Sequence, residues 1–146
     1  MATVSSILEK KGKKVFSVTP QTPIIGALKL MEEKQIGAVL VMEDDCVQGI
    51  FSERDYARRG VLKGNPESTP VSEVMTDKVY YVKPDQSVEA CMAQMSDKHI
   101  RHLPVVDNDK VVGVISIGDV VTSLLSDRES LIKGLENFIL GEEIKL

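Results

Sequence analysis

A chain of 146 residues with 42% hydrophobic and 27% charged side chains makes one domain or one tight pair of subdomains, able to bury roughly two-thirds of its unfolded surface. A formal net charge of −4 argues against nucleic acid and anionic membranes as partners, and no apolar run approaches the roughly 20 residues of a membrane-spanning helix. Cys46 and Cys91 form no CxxC pair, and the N-terminus lacks the basic-then-apolar order of a secretory signal, so a reducing, cytoplasmic setting is expected.

In chain order, Thr3–Lys11 has the pattern of a short helix within an N-terminal segment, 1–14. From Val15 onward the chain repeats itself: a shift of 64 residues aligns Val15–Asp55 with Val79–Asp119 without a gap. About a dozen positions then match, among them Pro20 with Pro84, Met31 with Met95, Ile36 with Ile100, Val41 with Val105, Gly49 with Gly113, Ser52 with Ser116 and Asp55 with Asp119. Chance gives only a few matches over about forty positions, and does not cluster them at punctuation residues.

Each copy, 15–62 and 79–126, predicts the same elements. A short strand, Val15–Val18 or Val79–Val82, runs into a proline that stops it. A helix follows, from about Pro23 to Lys34 with proline in its first turn, or from Ser87 to Lys98 with Ser87 as N-cap. Ile24, Ala27, Leu28 and Met31, like Val88, Cys91, Met92 and Met95, give the i, i+3, i+4, i+7 stripe of a half-buried helix. Two strands come next, Ala38–Met42 with Val47–Phe51 and Leu103–Val106 with Val111–Ile115, joined through Asp44-Asp45 and Asn108-Asp109, residue types that tight hairpins favour. Their near-continuous Val, Ile and Leu content predicts strands covered on both faces. A last helix opens at Ser52 or Ser116.

The fold class is therefore α/β, with two β-α-β-β-α units. A lone unit of about fifty residues is marginal, so the two are expected to pack sheet to sheet about a pseudo-twofold axis. Within the linker, 63–78, Lys63–Thr69 predicts a solvated loop and Pro70–Met75 one helical turn. Asp127–Leu140, in the terminal segment 127–146, puts Leu131, Leu135, Phe138 and Ile139 on one face of an amphipathic helix that either caps the domain or pairs with another subunit.

The common phosphate-loop, dinucleotide-fold, zinc-protease and hydrolase signatures are absent from the sequence. His99 and His102 have no cysteine close in sequence, and the nearby aspartates belong to a turn, so no metal centre is expected. What the copies share is Ser52-x-x-Asp55 and Ser116-x-x-Asp119, each after an apolar strand and a glycine. A capping box explains such a pair structurally. Its recurrence at the carboxyl edge of both sheets also suits a ligand, because a carboxylate in a helix's first turn repels phosphate but accepts the two hydroxyls of a ribose diol. Gly113, with Ser116 and Asp119, is expected in this shared sugar-binding element. Phosphate then needs cations nearby. The first copy offers Arg54, Arg58 and Arg59; the second has Gly118 and Thr122 at the places of Arg54 and Arg58, and carries Lys83, His99, Arg101 and His102 instead. Solvated helix and loop charges are the plain alternative, and a histidine in such a site would make binding pH-sensitive near neutrality.

These residues closely resemble the CBS domain, named after cystathionine β-synthase, in its tandem form, the Bateman module. The resemblance rests on Val18-Thr19-Pro20 and Val82-Lys83-Pro84, on His102-Leu103-Pro104-Val105-Val106-Asp107, and on the Gly-x-x-Ser-x-x-Asp run closing each copy, and it covers Val15 to about Leu125. It implies a non-enzymatic regulatory module that binds AMP, ADP or ATP, or else NAD(H) or S-adenosylmethionine, in clefts between the repeats. By position, Asp55 and Asp119 would hold ribose hydroxyls, assisted by Ser52 and Ser116. Adenine would lie between Thr19-Pro20 or Lys83-Pro84 and the backbone around Gly37-Ala38 or His102-Leu103. Arg54, Arg58, Arg101 and His102 would meet phosphate. Lys83 stands where the family often has a hydroxyl residue, and the first copy has Gly37-Ala38-Val39-Leu40 where the second has Arg101-His102-Leu103-Pro104, so the clefts should differ, with Gly118 adding to the difference. The family also implies a homodimer read by a regulated protein that the sequence does not name. A dimeric scaffold with vestigial clefts is the alternative.

Overall fold

The computed structural model describes residues 2–126, so the helix expected over 127–140 lies outside the described residues. Helix α1 (Val4–Lys11) starts at a capping box in which the Thr3 hydroxyl accepts from the Ser6 N–H and the Ser6 hydroxyl from the Thr3 N–H; it ends at Gly12, whose φ of 100° favours glycine. The first repeat comprises β1 (Ser17–Val18), α2 (Ile24–Lys34), β2 (Ala38–Glu43), β3 (Cys46–Ser52) and α3, a turn Glu53–Asp55 that continues as a π-helical stretch, Tyr56–Val61. The second comprises α4 (Val88–Lys98), β4 (His102–Asp107), β5 (Lys110–Ser116) and α5 (117–126). A 3-10 turn, Val71–Glu73, lies between them where one helical turn is expected.

Strand β2 pairs parallel to β1 and antiparallel to β3, and β4 pairs antiparallel to β5. The two hairpins turn through Asp44-Asp45 and Asn108-Asp109, all four residues at positive φ between 50° and 64°, the primed turn that matches strand twist. Each hairpin has a register shift at the same place, between Val41 and Met42 and between Val105 and Val106. The strand expected over Val79–Val82 shrinks to a single bridge, Val82 with Val105. Its counterpart β1 receives the Leu40 N–H at the Phe16 carbonyl; the residue equivalent to Leu40 is Pro104, which has no N–H to give.

One face of each sheet carries a core. Ile24, Ala27 and Met31 of α2 pack on Val39, Val41 and Phe51, and Val88, Cys91 and Met95 of α4 pack on Leu103, Val105 and Ile115. Alternation puts Ala38 and Leu40 on the other face of β2, and they are buried there as well, so both faces are covered as their composition predicts.

The third wall of each core comes from a segment the repeat does not contain. Val4, Ile7 and Leu8 of α1 complete the second core, while Val71 and Val74 complete the first. These segments correspond to each other. Ala2 and Thr69 accept, through their carbonyls, the first N–H of α4 and of α2, from Val88 and Ile24. The Lys63–Thr69 stretch is thus more than a solvated loop: Thr69 is buried, and Glu67 accepts a second N–H of α2, from Ile25. Leu8 crosses β5 over Gly113, where an added Cβ would lie 2.6 Å from Leu8 Cδ2, and Met75 crosses β3 over Gly49, where a Cβ would lie 2.6 Å from the Met75 sulfur. Gly113 therefore serves this crossing. It has no side chain because another chain segment passes over it.

Candidate functional site

The hairpin geometry delivers Ser52 to the carboxyl end of β3, with extended φ and ψ of −120° and 168° that make it an N-cap. The Ser52 N–H and hydroxyl both donate to Asp55 Oδ2, at 2.9 and 3.1 Å, and the Asp55 N–H donates back to the serine oxygen. The Thr76 hydroxyl donates to Asp55 Oδ1 at 2.9 Å. The structural explanation of the Ser-x-x-Asp pair is thus realised: Asp55 closes a capping box and is 8% exposed. It is also the floor of a cleft. A carboxylate offers about four lone-pair sites, and three donors are in place, so roughly one remains for a ligand without rearrangement.

The cleft around Asp55 is a cavity of about 230 Å³ between the repeats. It brings together seven residues expected at a site, namely Gly37, Ser52, Arg54, Asp55, Arg58, Arg101 and His102, with Arg59 and His99 beside them. Arg54 spans the repeats by donating from Nη1 to the His99 carbonyl at 3.2 Å, and Arg59 donates to the Met75 carbonyl at 2.6 Å. Arg58 and Arg59 lie on the π-helical stretch, a rare local geometry that recurs at functional sites. The backbone carbonyls of Gly37 and Arg101 are taken by the N–H groups of Glu53 and Ile117.

Sequence reasoning missed Glu53, Thr76, Lys78 and Tyr80, which also line this cleft. Glu53 is a variable position inside the Ser52-x-x-Asp55 motif, Tyr80 stands in the second copy opposite Phe16, and Thr76 and Lys78 belong to the segment joining the copies, where the gapless repeat has no counterpart to compare. Thr19, Pro20, Ala38, Lys83, Pro84, Leu103 and Pro104 do not line it. Thr19 turns back on Thr22, the Pro20 and Pro84 carbonyls accept from Ser72 and Ser5, and the Lys83 N–H is bonded to the Gln86 side chain. Ala38, Leu103 and Pro104 are buried strand residues.

At the equivalent place in the second repeat the Ser116 N–H donates to Asp119 Oδ2 at 2.8 Å, and the Asp119 N–H donates to the Ser116 hydroxyl. Here the further donor is Lys11, whose ammonium reaches Asp119 Oδ2 at 2.6 Å and the Val114 carbonyl at 2.7 Å. Burial works to raise the Asp119 pKa, but the Lys11 ammonium and the Ser116 N–H outweigh it and leave the carboxyl below its usual range. Gly118 sits exposed in the first turn of α5.

His102 stands at the junction, facing Gly37 of the other repeat. Its burial first, then the Lys11 and Arg101 charges, bring its pKa down to about 4, against the pull of Asp119 and Asp55. It is a neutral imidazole at pH 7, so the sensitivity near neutrality that a histidine promises does not arise at His102. Among the described residues no group of three or more His, Cys, Asp or Glu could hold a metal ion, and no helix is long and apolar enough to cross a membrane.

Comparison with known proteins fits this geometry. The family model described as CBS domain matches twice, at residues 4–61 and 71–126. The mitochondrial CBS domain-containing protein CBSX3 of Arabidopsis thaliana is 32% identical, over 95% of this chain and 72% of its own length. Among solved structures, a protein with CBS domains from Burkholderia ambifaria MC40-6 superposes with a TM-score of 0.83 at 47% identity, covering 86% of this chain and 96% of that one. The CBS domain pair of protein MJ0100, in complex with 5′-methylthioadenosine and S-adenosyl-L-methionine, superposes with a TM-score of 0.76 at 25% identity, covering 88% and 98%.

Proposed function

The chain belongs to the CBS-domain family, as a tandem pair of its repeats, and from that premise we propose that it is a regulatory, non-catalytic module that binds AMP, ADP or ATP in the Asp55 cleft. The single observation behind this reading is the composition of that cleft. A buried carboxylate at a helix start stands among Arg54, Arg58, Arg59, Lys78 and Arg101, five cations against Glu53 and Asp55. The carboxylate suits a ribose diol and the cations suit phosphate oxygens. The same balance disfavours S-adenosylmethionine, the sulfonium cation found in complex with the MJ0100 pair.

Ribose hydroxyls would approach Asp55 in competition with the Thr76 hydroxyl. Displacing it loosens the segment that walls the first core, and the two repeats would shift against each other. A cytoplasmic homodimer would pass that shift to a regulated protein. The other reading, an interaction scaffold with vestigial clefts, draws on the internal satisfaction of both aspartates.

Thermal melting with AMP, ADP, ATP, NAD(H) and S-adenosylmethionine separates the two. A ligand at about 100 times its Kd adds roughly 2.7 kcal/mol, or about 5–10 °C for a chain of this size. The proposal expects phosphorylated nucleotides to raise the midpoint, Arg58→Ala and Arg101→Ala to weaken them, and S-adenosylmethionine to do nothing. No shift with any of the five overturns the nucleotide reading and leaves the scaffold reading in its place.

A further inference from the structure

Asp55 and Asp119 differ in how the preceding segment arrives at them. Leu8 over Gly113 and Met75 over Gly49 are equivalent crossings. After Met75 the chain extends at once, Thr76 pairing with Ile50, and three residues lead to Val79; after Leu8 six residues lead to Val15. The extra three residues let α1 continue for one more turn past Leu8, closing on Gly12. That turn carries Lys11 across to β5, where its ammonium is held by two acceptors, Asp119 Oδ2 and the Val114 carbonyl. In the first repeat the equivalent oxygen, Asp55 Oδ2, takes the Ser52 N–H and hydroxyl, and the Thr76 hydroxyl meets the other oxygen, Oδ1, so every donor there is neutral.

We propose that Lys11 is an internal occupant of the Asp119 cleft, so that the module takes one nucleotide per chain, at Asp55, and a second only when Lys11 is removed or drawn away. The proposal rests on the nucleotide reading above. A diol that takes both oxygens of Asp119 competes at Oδ2 with an ammonium, whereas at Asp55 it competes only with neutral donors. The occupant is also tied to the fold, because α1 buries Val4, Ile7 and Leu8 in the second core. Lys11 itself sits at the exposed helix end, so replacing it leaves that packing intact.

Two measurements on Lys11→Met, which keeps the apolar stem, decide the matter. The first needs no ligand: the Asp119 carboxyl, followed by NMR, should titrate at higher pH in Lys11→Met than in the parent, and an unchanged titration overturns the proposal. The second is calorimetry with AMP. The parent should bind one equivalent, lost in Asp55→Asn; Lys11→Met should bind two, the second lost on adding Asp119→Asn; and Lys11→Arg should still bind one. Two equivalents on the parent, or one on Lys11→Met, overturn the inference. If neither protein binds AMP while the Asp119 titration moves, the nucleotide reading fails and the Lys11 contact stands.

Discussion

Replacing Gly49 with alanine should cost more than the same change at Gly113, although the two glycines are equivalent by sequence. At Gly49 the new Cβ would lie 2.6 Å from the Met75 sulfur and 2.7 Å from the Thr76 carbonyl oxygen. At Gly113 it would meet only the side chain of Leu8, with Cδ2 at 2.6 Å and Cδ1 at 3.1 Å. A side-chain end can rotate within its core, but the Thr76 carbonyl is fixed by the Ile50 N–H at 2.9 Å and Ile50 accepts the Thr76 N–H in return. Overpacking of this kind costs about 1–3 kcal/mol, and the backbone clash places Gly49→Ala near the top of that range and Gly113→Ala near the bottom. For a chain of this size that is a fall in Tm of roughly 6–10 °C against roughly 2–4 °C. Urea melts with unchanged m-values give the free energies directly. Because the Thr76 hydroxyl also holds Asp55 Oδ1, Gly49→Ala should expose the Ile50 amide to hydrogen exchange. Equal losses at the two glycines, or a larger loss at Gly113, would refute the argument from the backbone clash.

Stability should also fall with acid in a window set by His102. Its pKa drops from 6.5 to about 4 on folding, so between those values the unfolded chain binds the extra proton and stability declines as pH falls, by about 3 kcal/mol at pH 4. His102→Asn should flatten melting midpoints across that window, and a slope surviving the substitution would place its origin elsewhere. Asp119, held below its usual range, adds a loss in more acid solution, below its unfolded pKa. Gln35 closes α2 at φ 54° and ψ 49°, a left-handed conformation natural to glycine. Gln35→Gly should therefore stabilise by roughly 0.5–1 kcal/mol, less the exposed bond from its side chain to the Glu32 carbonyl, and a lowered Tm would contradict that account.

The elements of each repeat were legible because their signals are local: apolar stripes at helical spacing, Asp and Asn pairs at the turns, serines before the capped helices. The strand at Val79–Val82 was misjudged for a reason its own residues do not carry. Its pairing fails because Pro104, over twenty residues later, withholds an N–H. In the candidate site, the recurring serine and aspartate and the cations near them are legible, whereas Glu53 at a variable position of the motif, Tyr80 and the residues of the joining segment are not. Thr76, Lys78 and Lys11 act on clefts through chain crossings that no periodicity encodes. A trace of them exists: Val4-Ser5-Ser6-Ile7-Leu8 resembles Val71-Ser72-Glu73-Val74-Met75, at a spacing of 67 residues rather than 64. A gapless comparison at one spacing cannot hold both relations.

That change of spacing connects the fold to the proposed signal. Each core is walled by the segment that precedes the other copy, so neither repeat keeps its core if the two separate. The Asp55 cleft is built on the same principle, with Asp55 from the first repeat, Thr76 and Lys78 from the joining segment, and Arg101 and His102 from the second. A ligand there touches every part whose relative position could change. Its leverage is greatest at Thr76, where one residue pairs with β3 through its backbone and with Asp55 through its hydroxyl. Thr76→Val keeps the shape and removes only the hydroxyl, so it should cost about 1–2 kcal/mol of stability while freeing Asp55 Oδ1 for ribose. AMP should then bind more tightly, with a smaller ligand-induced change in hydrogen exchange at Ile50. Tighter binding with an undiminished change at Ile50 would show that the signal leaves the cleft by another route.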